Sequence, residues 1–157
     1  MQKAVFAAGC FWGVQDAFET LPGVLKTTVG YIGGRTEKPT YKDVCNGNTY
    51  HAEALEVEFD ENVISFRELV NFFFKMHDPT TLNRQGPDVG SQYRSAIFIQ
   101  SPEQEKEARE TIAELDRIGA FPRKIVTSLE PVAIFWPAEE YHQHYFKKQG
   151  ITGGCHI

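Results

Sequence analysis

Residues 3–14, Lys3-Ala4-Val5-Phe6-Ala7-Ala8-Gly9-Cys10-Phe11-Trp12-Gly13-Val14, change their hydrophobic period partway through. Lys3 to Ala8 is a short apolar run, the pattern of a buried strand that ends at Gly9. From Phe11 the apolar positions recur three and four apart, at Phe11, Val14, Phe18 and Leu21, the pattern of a helix that Pro22-Gly23 stops. A strand that passes within two residues into a helix makes this a mixed fold from the start. It also puts Gly9-Cys10 at the junction.

Working outward, Val24 to Ile32 is rich in β-branched residues and closes at Gly33-Gly34, which predicts a second strand. Arg35 to Tyr50 is polar and turn-rich. Ala52 to Asp60 alternates imperfectly and reads as a central strand. Ser65-Phe66-Arg67-Glu68 is a capping box, followed by an apolar stripe at Phe66, Leu69, Val70, Phe73 and Met76. Ser101-Pro102-Glu103-Gln104 repeats that start signal with proline at the first helical position, and Ala108, Ile112, Leu115 and Ile118 are expected to face inward before Gly119. Ser95 to Gln100 and part of Lys124 to Phe135 are expected strands, and Glu139 to Gln149 an expected last helix after Pro137. His77 to Tyr93 links a helix to a strand by a loop too long for a routine connection, which points to an ordered, functional loop. Strands and helices mix without regular alternation, so the fold class is an α+β or α/β sandwich.

A chain of 157 residues suits one domain, 1–157, with 150–157 a glycine-bearing, flexible C-terminal tail. Twelve Phe and six Tyr supply core bulk without metal or disulfide staples. A net charge of −5 with both signs interspersed argues against binding nucleic-acid phosphates, and no apolar run approaches a membrane span. The start Met1-Gln2-Lys3 runs directly into the first strand, which leaves no room for a signal peptide and makes a cytoplasmic location the expectation.

Three cysteines, at 10, 45 and 155, cannot form a complete disulfide framework and contain no CxxC pair. Cys10 stands where a helix N-terminus would favour thiolate over thiol, though a small buried thiol fits the same position. Cys155, behind Gly153-Gly154, is either a thiol that swings to a distant sulfur or an idle tail cysteine. Cys45 is either a relay thiol or a buried one. Glu53 begins a strand that looks buried, so its carboxyl is expected to be desolvated with a raised pKa; a solvent-facing glutamate on an amphipathic strand is the plainer alternative. Asp88 either orients a neighbour or closes an Asx turn, and Tyr41 and Tyr93 either donate hydrogen bonds or simply pack. His142 and His144 stand two apart, on different faces of a helix, which argues against a metal site. None of the five histidines is assigned to catalysis. Two further classes remain open from these residues alone. One is a cysteine hydrolase with a histidine base, although nothing places a histidine beside Cys10. The other is a metal-binding module of Cys10, Cys45, Cys155 and His156, whose spacings match no zinc motif.

Gly9-Cys10-Phe11-Trp12-Gly13 strongly resembles the signature pentapeptide of the type A peptide methionine sulfoxide reductases. The resemblance continues in Val29-Gly30-Tyr31-Ile32-Gly33-Gly34, in Tyr41-Lys42-Asp43-Val44-Cys45 and in His51-Ala52-Glu53. It extends through His77-Asp78-Pro79-Thr80-Thr81-Leu82-Asn83-Arg84-Gln85-Gly86, Asp88-Val89-Gly90-Ser91-Gln92-Tyr93-Arg94-Ser95 and Glu139-Glu140-Tyr141-His142-Gln143. It covers nearly the whole chain in order. One departure is Tyr50, where the family commonly has glycine. The resemblance implies a two-layer α/β sandwich related to the ferredoxin-like arrangement, and reduction of methionine (S)-sulfoxide, free or in proteins, with no metal or organic cofactor. It implies Cys10 as nucleophile, Phe11 and Trp12 as the pocket for the sulfoxide methyl group, and Glu53 as proton donor. Tyr41 and Tyr93 are implied as hydrogen-bond donors to the sulfoxide oxygen, with Asp88 ordering the site. Cys155 is implied as the resolving thiol, directly or through Cys45, with thioredoxin as electron donor and a monomer as the default state.

Overall fold

The computed structural model describes residues 2–150. In chain order these form β1 (Gln2–Ala8), α1 (Phe11–Phe18), β2 (Val24–Ile32), α2 (Tyr41–Cys45), β3 (Ala52–Phe59), α3 (Phe66–Lys75), β4 (Arg84–Gln85) and β5 (Asp88–Val89). A 3-10 turn at Ser91–Tyr93 leads into β6 (Ser95–Phe98), α4 (Pro102–Arg117), β7 (Ser128–Glu130) and β8 (Trp136–Pro137). A second 3-10 turn, Glu140–His142, precedes α5 (Tyr145–Lys148).

Six strands make one sheet in the order β7-β6-β1-β3-β2-β8. β1 is antiparallel to both β3 and β6, and β2 is antiparallel to β3 and β8. β1-α1-β2 and β3-α3-β6 are therefore split crossovers, each with a strand of the other inserted, which is the ferredoxin-like connection. β7 adds parallel to β6 after the α4 crossover. β4 and β5 form a separate hairpin inside the 77–93 loop, which is ordered as its sequence implies.

Period-two patterning sends alternate strand residues to opposite faces. Ala4, Phe6, Ala8, Val29, Tyr31, Leu55, Val57 and Phe59 meet the helices, and Phe6 sits among the rings of Phe18, Phe66 and Phe73 at centroid distances of 5.1, 6.1 and 5.2 Å. α3 contributes Phe66, Leu69, Val70 and Phe73 from the predicted stripe, with Met76 buried at its cap, and adds Phe74, which the stripe did not include. The opposite face carries a smaller cluster of Val5, Ala7, Ile32, Ala54 and Phe98, packed on by Phe135. Both predicted helix starts are found. Ser65 and Glu68 satisfy each other's backbone reciprocally. Ser101 accepts from the Gln104 amide, while the Gln104 side chain turns instead to the Gln100 N–H and the Lys3 carbonyl.

Three expectations need correction. The 35–50 segment contains α2, which starts at a capping box made by Thr40 and Asp43. Ile118 is exposed, because α4 ends there as its cap. Residues 139–149 do not form one helix. Gln143 spends its side-chain amide on β2, accepting from the Val29 N–H at 2.9 Å and donating to the Val29 carbonyl at 3.0 Å. His144 then adopts a left-handed conformation, φ 54°, and its N–H donates to Gln15 Oε1. Tertiary bonds replace the helical ones. Among the described residues no helix is long and apolar enough to cross a membrane.

Candidate active site

The strand-to-helix junction places Cys10 at the N-cap of α1, with Val14 N–H donating to its carbonyl at 3.3 Å. Gly9 makes the turn at φ 94°, a left-handed conformation that glycine adopts without penalty. The residue thus stands at the positive end of the α1 dipole, a position that favours thiolate.

Sheet register brings the partners to this end. Phe6 opposes Leu55 in β3, so two residues further on Glu53 comes level with Ala8, beside the junction. On the other side of β1, Ala8 opposes Ser95, so Tyr93 and its 3-10 turn lie at the same end. Glu53 is 1% exposed, and its Oε1 accepts the Phe11 N–H at 3.2 Å. The carboxyl thus caps an orphan amide of α1 from a strand 42 residues away in sequence. This deep burial is what the proton-donor expectation requires.

Aromatic rings enclose the rest. Phe11 is fully buried with its ring 5.7 Å from Tyr31 and 6.2 Å from Tyr41. Trp12 is half-buried, stacks on Tyr145 at 3.9 Å and lies 6.2 Å from Tyr41. The Tyr41 hydroxyl is held well above the ordinary tyrosine range, first by burial, then by its hydrogen bond with Cys45 and the negative charge of Glu53. Tyr93 is likewise raised, first by burial and then by the charges of Glu53, Cys45, Asp88 and Cys10. Asp88 reaches the site from the β4–β5 hairpin, opposite Gln85. Gly90 follows at φ 141°, a backbone conformation that L side chains rarely adopt, so the return to Tyr93 favours glycine. Cys45 lies on the exposed side of α2. Its thiol is nonetheless pushed up, chiefly by partial desolvation and further by Glu53, against the opposing hydrogen bond from Tyr41.

Cys10, Phe11, Trp12, Tyr41, Cys45, Glu53, Asp88 and Tyr93 therefore share one end of the sheet. Cys155 and His156 lie outside the described residues. Among the described residues no three His, Cys, Asp or Glu side chains gather as a metal would need. Tyr50 has φ 61°, the left-handed conformation that explains why glycine suits this position. Arg35 stacks over its ring at 4.4 Å, and Arg94 donates to its carbonyl.

Two supporting residues escape a reading that treats 139–149 as a helix. Glu139 accepts from the Tyr31 hydroxyl at 2.8 Å and from the Tyr41 N–H at 3.0 Å, anchoring the first turn of α2. Burial would raise its carboxyl, but these hydrogen bonds outweigh it and hold Glu139 below the usual range. His142 accepts from the indole N–H of Trp12. No local pattern marks either residue, because their partners Tyr31, Tyr41 and Trp12 lie far away in sequence.

The family model described as peptide methionine sulfoxide reductase matches residues 2–157. A peptide methionine sulfoxide reductase MsrA from Methanoculleus marisnigri is 55% identical over 155 residues, 99% of this chain and 94% of the relative. One from Acidobacterium capsulatum is 53% identical over 157 residues, covering both chains completely. Among solved structures, reduced Mxr1 from Saccharomyces cerevisiae superposes with a TM-score of 0.91 at 40% identity, over 99% of this chain and 91% of that one. Mxr1 in complex with Trx2 gives a TM-score of 0.65 at 31% identity, over 92% and 84%. A buried carboxyl, two tyrosines and an aromatic wall around a helix-capping cysteine are thus features of a chain that belongs to the type A peptide methionine sulfoxide reductases.

Proposed function

We propose that this protein reduces methionine (S)-sulfoxide, free or in proteins, through attack by Cys10. The observation that carries the reading is the Phe11 N–H···Glu53 hydrogen bond, which ties a buried carboxyl to the residue next to the nucleophile.

Sulfoxide oxygen is a poor leaving group until protonated. The Cys10 thiolate attacks the sulfoxide sulfur while protonated Glu53 delivers a proton to the oxygen. The hydroxyls of Tyr41 and Tyr93 donate hydrogen bonds as negative charge develops there. Their raised ionisation keeps those protons in place. Asp88, an electrostatic neighbour of Tyr93, helps order the site. Phe11 and Trp12 receive the methyl group. The bond formed between Cys10 Sγ and the substrate sulfur then breaks as the protonated oxygen passes to Cys10 Sγ, so methionine leaves with two electrons more than the sulfoxide had and Cys10 becomes a sulfenic acid. A second thiol condenses with it, releasing water and forming a disulfide. Cys155 acts directly, or Cys45 acts first and passes the disulfide on. Thioredoxin reduces the disulfide by exchange, as the complex of Mxr1 with Trx2 supports. The cycle requires no metal or organic cofactor. It suits one catalytic domain, a monomer in a reducing compartment such as the cytoplasm, with neither membrane nor nucleic acid as partner.

The test omits reductant. Protein incubated with excess (S)-sulfoxide should release stoichiometric methionine and stop, with Cys10 found by mass spectrometry as sulfenic acid or in a disulfide. Methionine released with Cys10 unmodified would overturn the reading.

A further inference from the structure

His142 is 2% exposed, and rings close around it. Tyr141 is at 4.2 Å, Tyr41 at 4.3 Å, Phe11 at 5.4 Å and Trp12 at 5.6 Å. The indole Nε1–H of Trp12 donates to its Nδ1 at 3.0 Å. An indole nitrogen can only donate, so Nδ1 carries a lone pair and the ring's single proton sits on Nε2. Nε2 is buried and has no hydrogen-bond partner among the described residues. A buried donor left unpaired is a cost that an apolar side chain of similar shape would avoid. Packing alone therefore does not account for histidine here; the work of Nδ1 does.

The geometry points to His142 as a positioning residue for the sulfoxide pocket, its Nδ1 lone pair fixing the rotation of the Trp12 indole. Stacking on Tyr145, with the rings 11° from parallel, fixes the plane of the indole but leaves it free to slide and turn within that plane. The hydrogen bond removes that freedom and holds the edge of the ring toward the reacting sulfur. This rests on the assignment of Trp12 to the methyl pocket.

The arrangement works in one protonation state. An imidazolium presents N–H at Nδ1, donor against donor, so the charged ring and the held indole exclude each other. Facing His142 are Phe11 and Trp12 from α1, Tyr41 from α2 with its hydroxyl bonded to Cys45, and Tyr141 and Glu139 from its own segment. Of these, Glu139 carries charge at neutral pH and favours the imidazolium. Burial outweighs it and holds His142 below the ordinary histidine range, so the acceptor form prevails at neutral pH.

The test compares wild type, His142→Asn, whose side-chain oxygen can accept near the place of Nδ1 without titrating, His142→Leu and Trp12→Phe. Two quantities are followed from pH 5 to 8: the proton shift of the Trp12 indole N–H by NMR, and KM and kcat for an N-blocked methionine (S)-sulfoxide. In wild type the indole proton should lie downfield and move upfield on acidification, as KM rises. His142→Leu should lose the downfield shift and raise KM roughly tenfold at every pH, the worth of one hydrogen bond, with kcat less affected. His142→Asn should restore both and abolish the acid dependence. In a Trp12→Phe background, His142→Leu should add no further rise in KM.

A wild-type indole shift and KM that ignore pH, or His142→Leu with unchanged KM, would overturn the proposal. So would a full further effect in the Trp12→Phe background. An indole shift that follows His142 while Trp12→Phe leaves KM unchanged would overturn the pocket assignment instead. Should His142→Leu not fold, the wild-type titration decides alone.

Discussion

At the scale of single residues, the site gathers buried polar groups beside Cys10. Glu53 is 1% exposed and accepts the Phe11 N–H, and Tyr41 and Tyr93 ionise well above the usual tyrosine range, first because of burial. Glu53→Gln keeps a hydrogen-bond acceptor for the Phe11 amide but removes the transferable proton. Single-turnover sulfoxide reduction should fall by about 10²–10⁴, with folding intact by circular dichroism. Because the tyrosine protons stay on to high pH, kcat should show no alkaline limb near the ordinary tyrosine value of 10; a limb there, lost in Tyr41→Phe or Tyr93→Phe, would contradict this. The strand-to-helix switch at Cys10 and the carboxylate of Glu53 in an apolar strand were visible as local patterns, but each kept a plainer alternative until the family resemblance implied a role. His142 was not visible, since its role depends on Trp12, 130 positions away.

Elements enter through what positions these groups. α2 has five residues and carries Tyr41 and Cys45, so its capping box and its tie to Glu139 do most to form it. Thr40→Ala and Ser65→Ala remove equivalent cap bonds, and each should lower stability by about 1 kcal/mol in urea titration. Only Thr40→Ala should also reduce kcat/KM, since α3 brings no residue to the site. Equal activity in the two would remove α2 from the account. The Tyr31–Glu139 pair belongs at this scale too. Burial comes first and then the hydrogen bond to Glu139 in raising Tyr31 above its ordinary value of 10. A raised native pKa stabilises the fold fully below pH 10, and that contribution is lost as pH rises beyond it. Stability should therefore fall above about pH 10, less steeply in Tyr31→Phe. The strands and the two long helices could be read from period and caps. α2 and the broken 139–149 segment could not. The first is too short to show periodicity, and the second exchanges its helical bonds for Gln143 and His144 contacts across the molecule.

The whole molecule explains why the cysteine sits where it does. Split crossovers bring the end of β1 and the starts of β3 and β6 to one edge, so residues 10, 53 and 93 converge although sequence separates them widely. The core under that edge centres on Phe6, and Phe6→Ala should cost about 3–5 kcal/mol, lowering the denaturation midpoint without altering the chemistry of folded protein. The family resemblance covers the same span as the fold, and it supplied what periodicity could not, the reaction and its epimer. The most direct test mixes the protein with separate (S) and (R) sulfoxides of an N-blocked methionine, with dithiothreitol, beside Cys10→Ser. Reduction of the (S) form alone, absent in Cys10→Ser, is the predicted result. Reduction of neither form by folded protein, or turnover that survives Cys10→Ser, would contradict it.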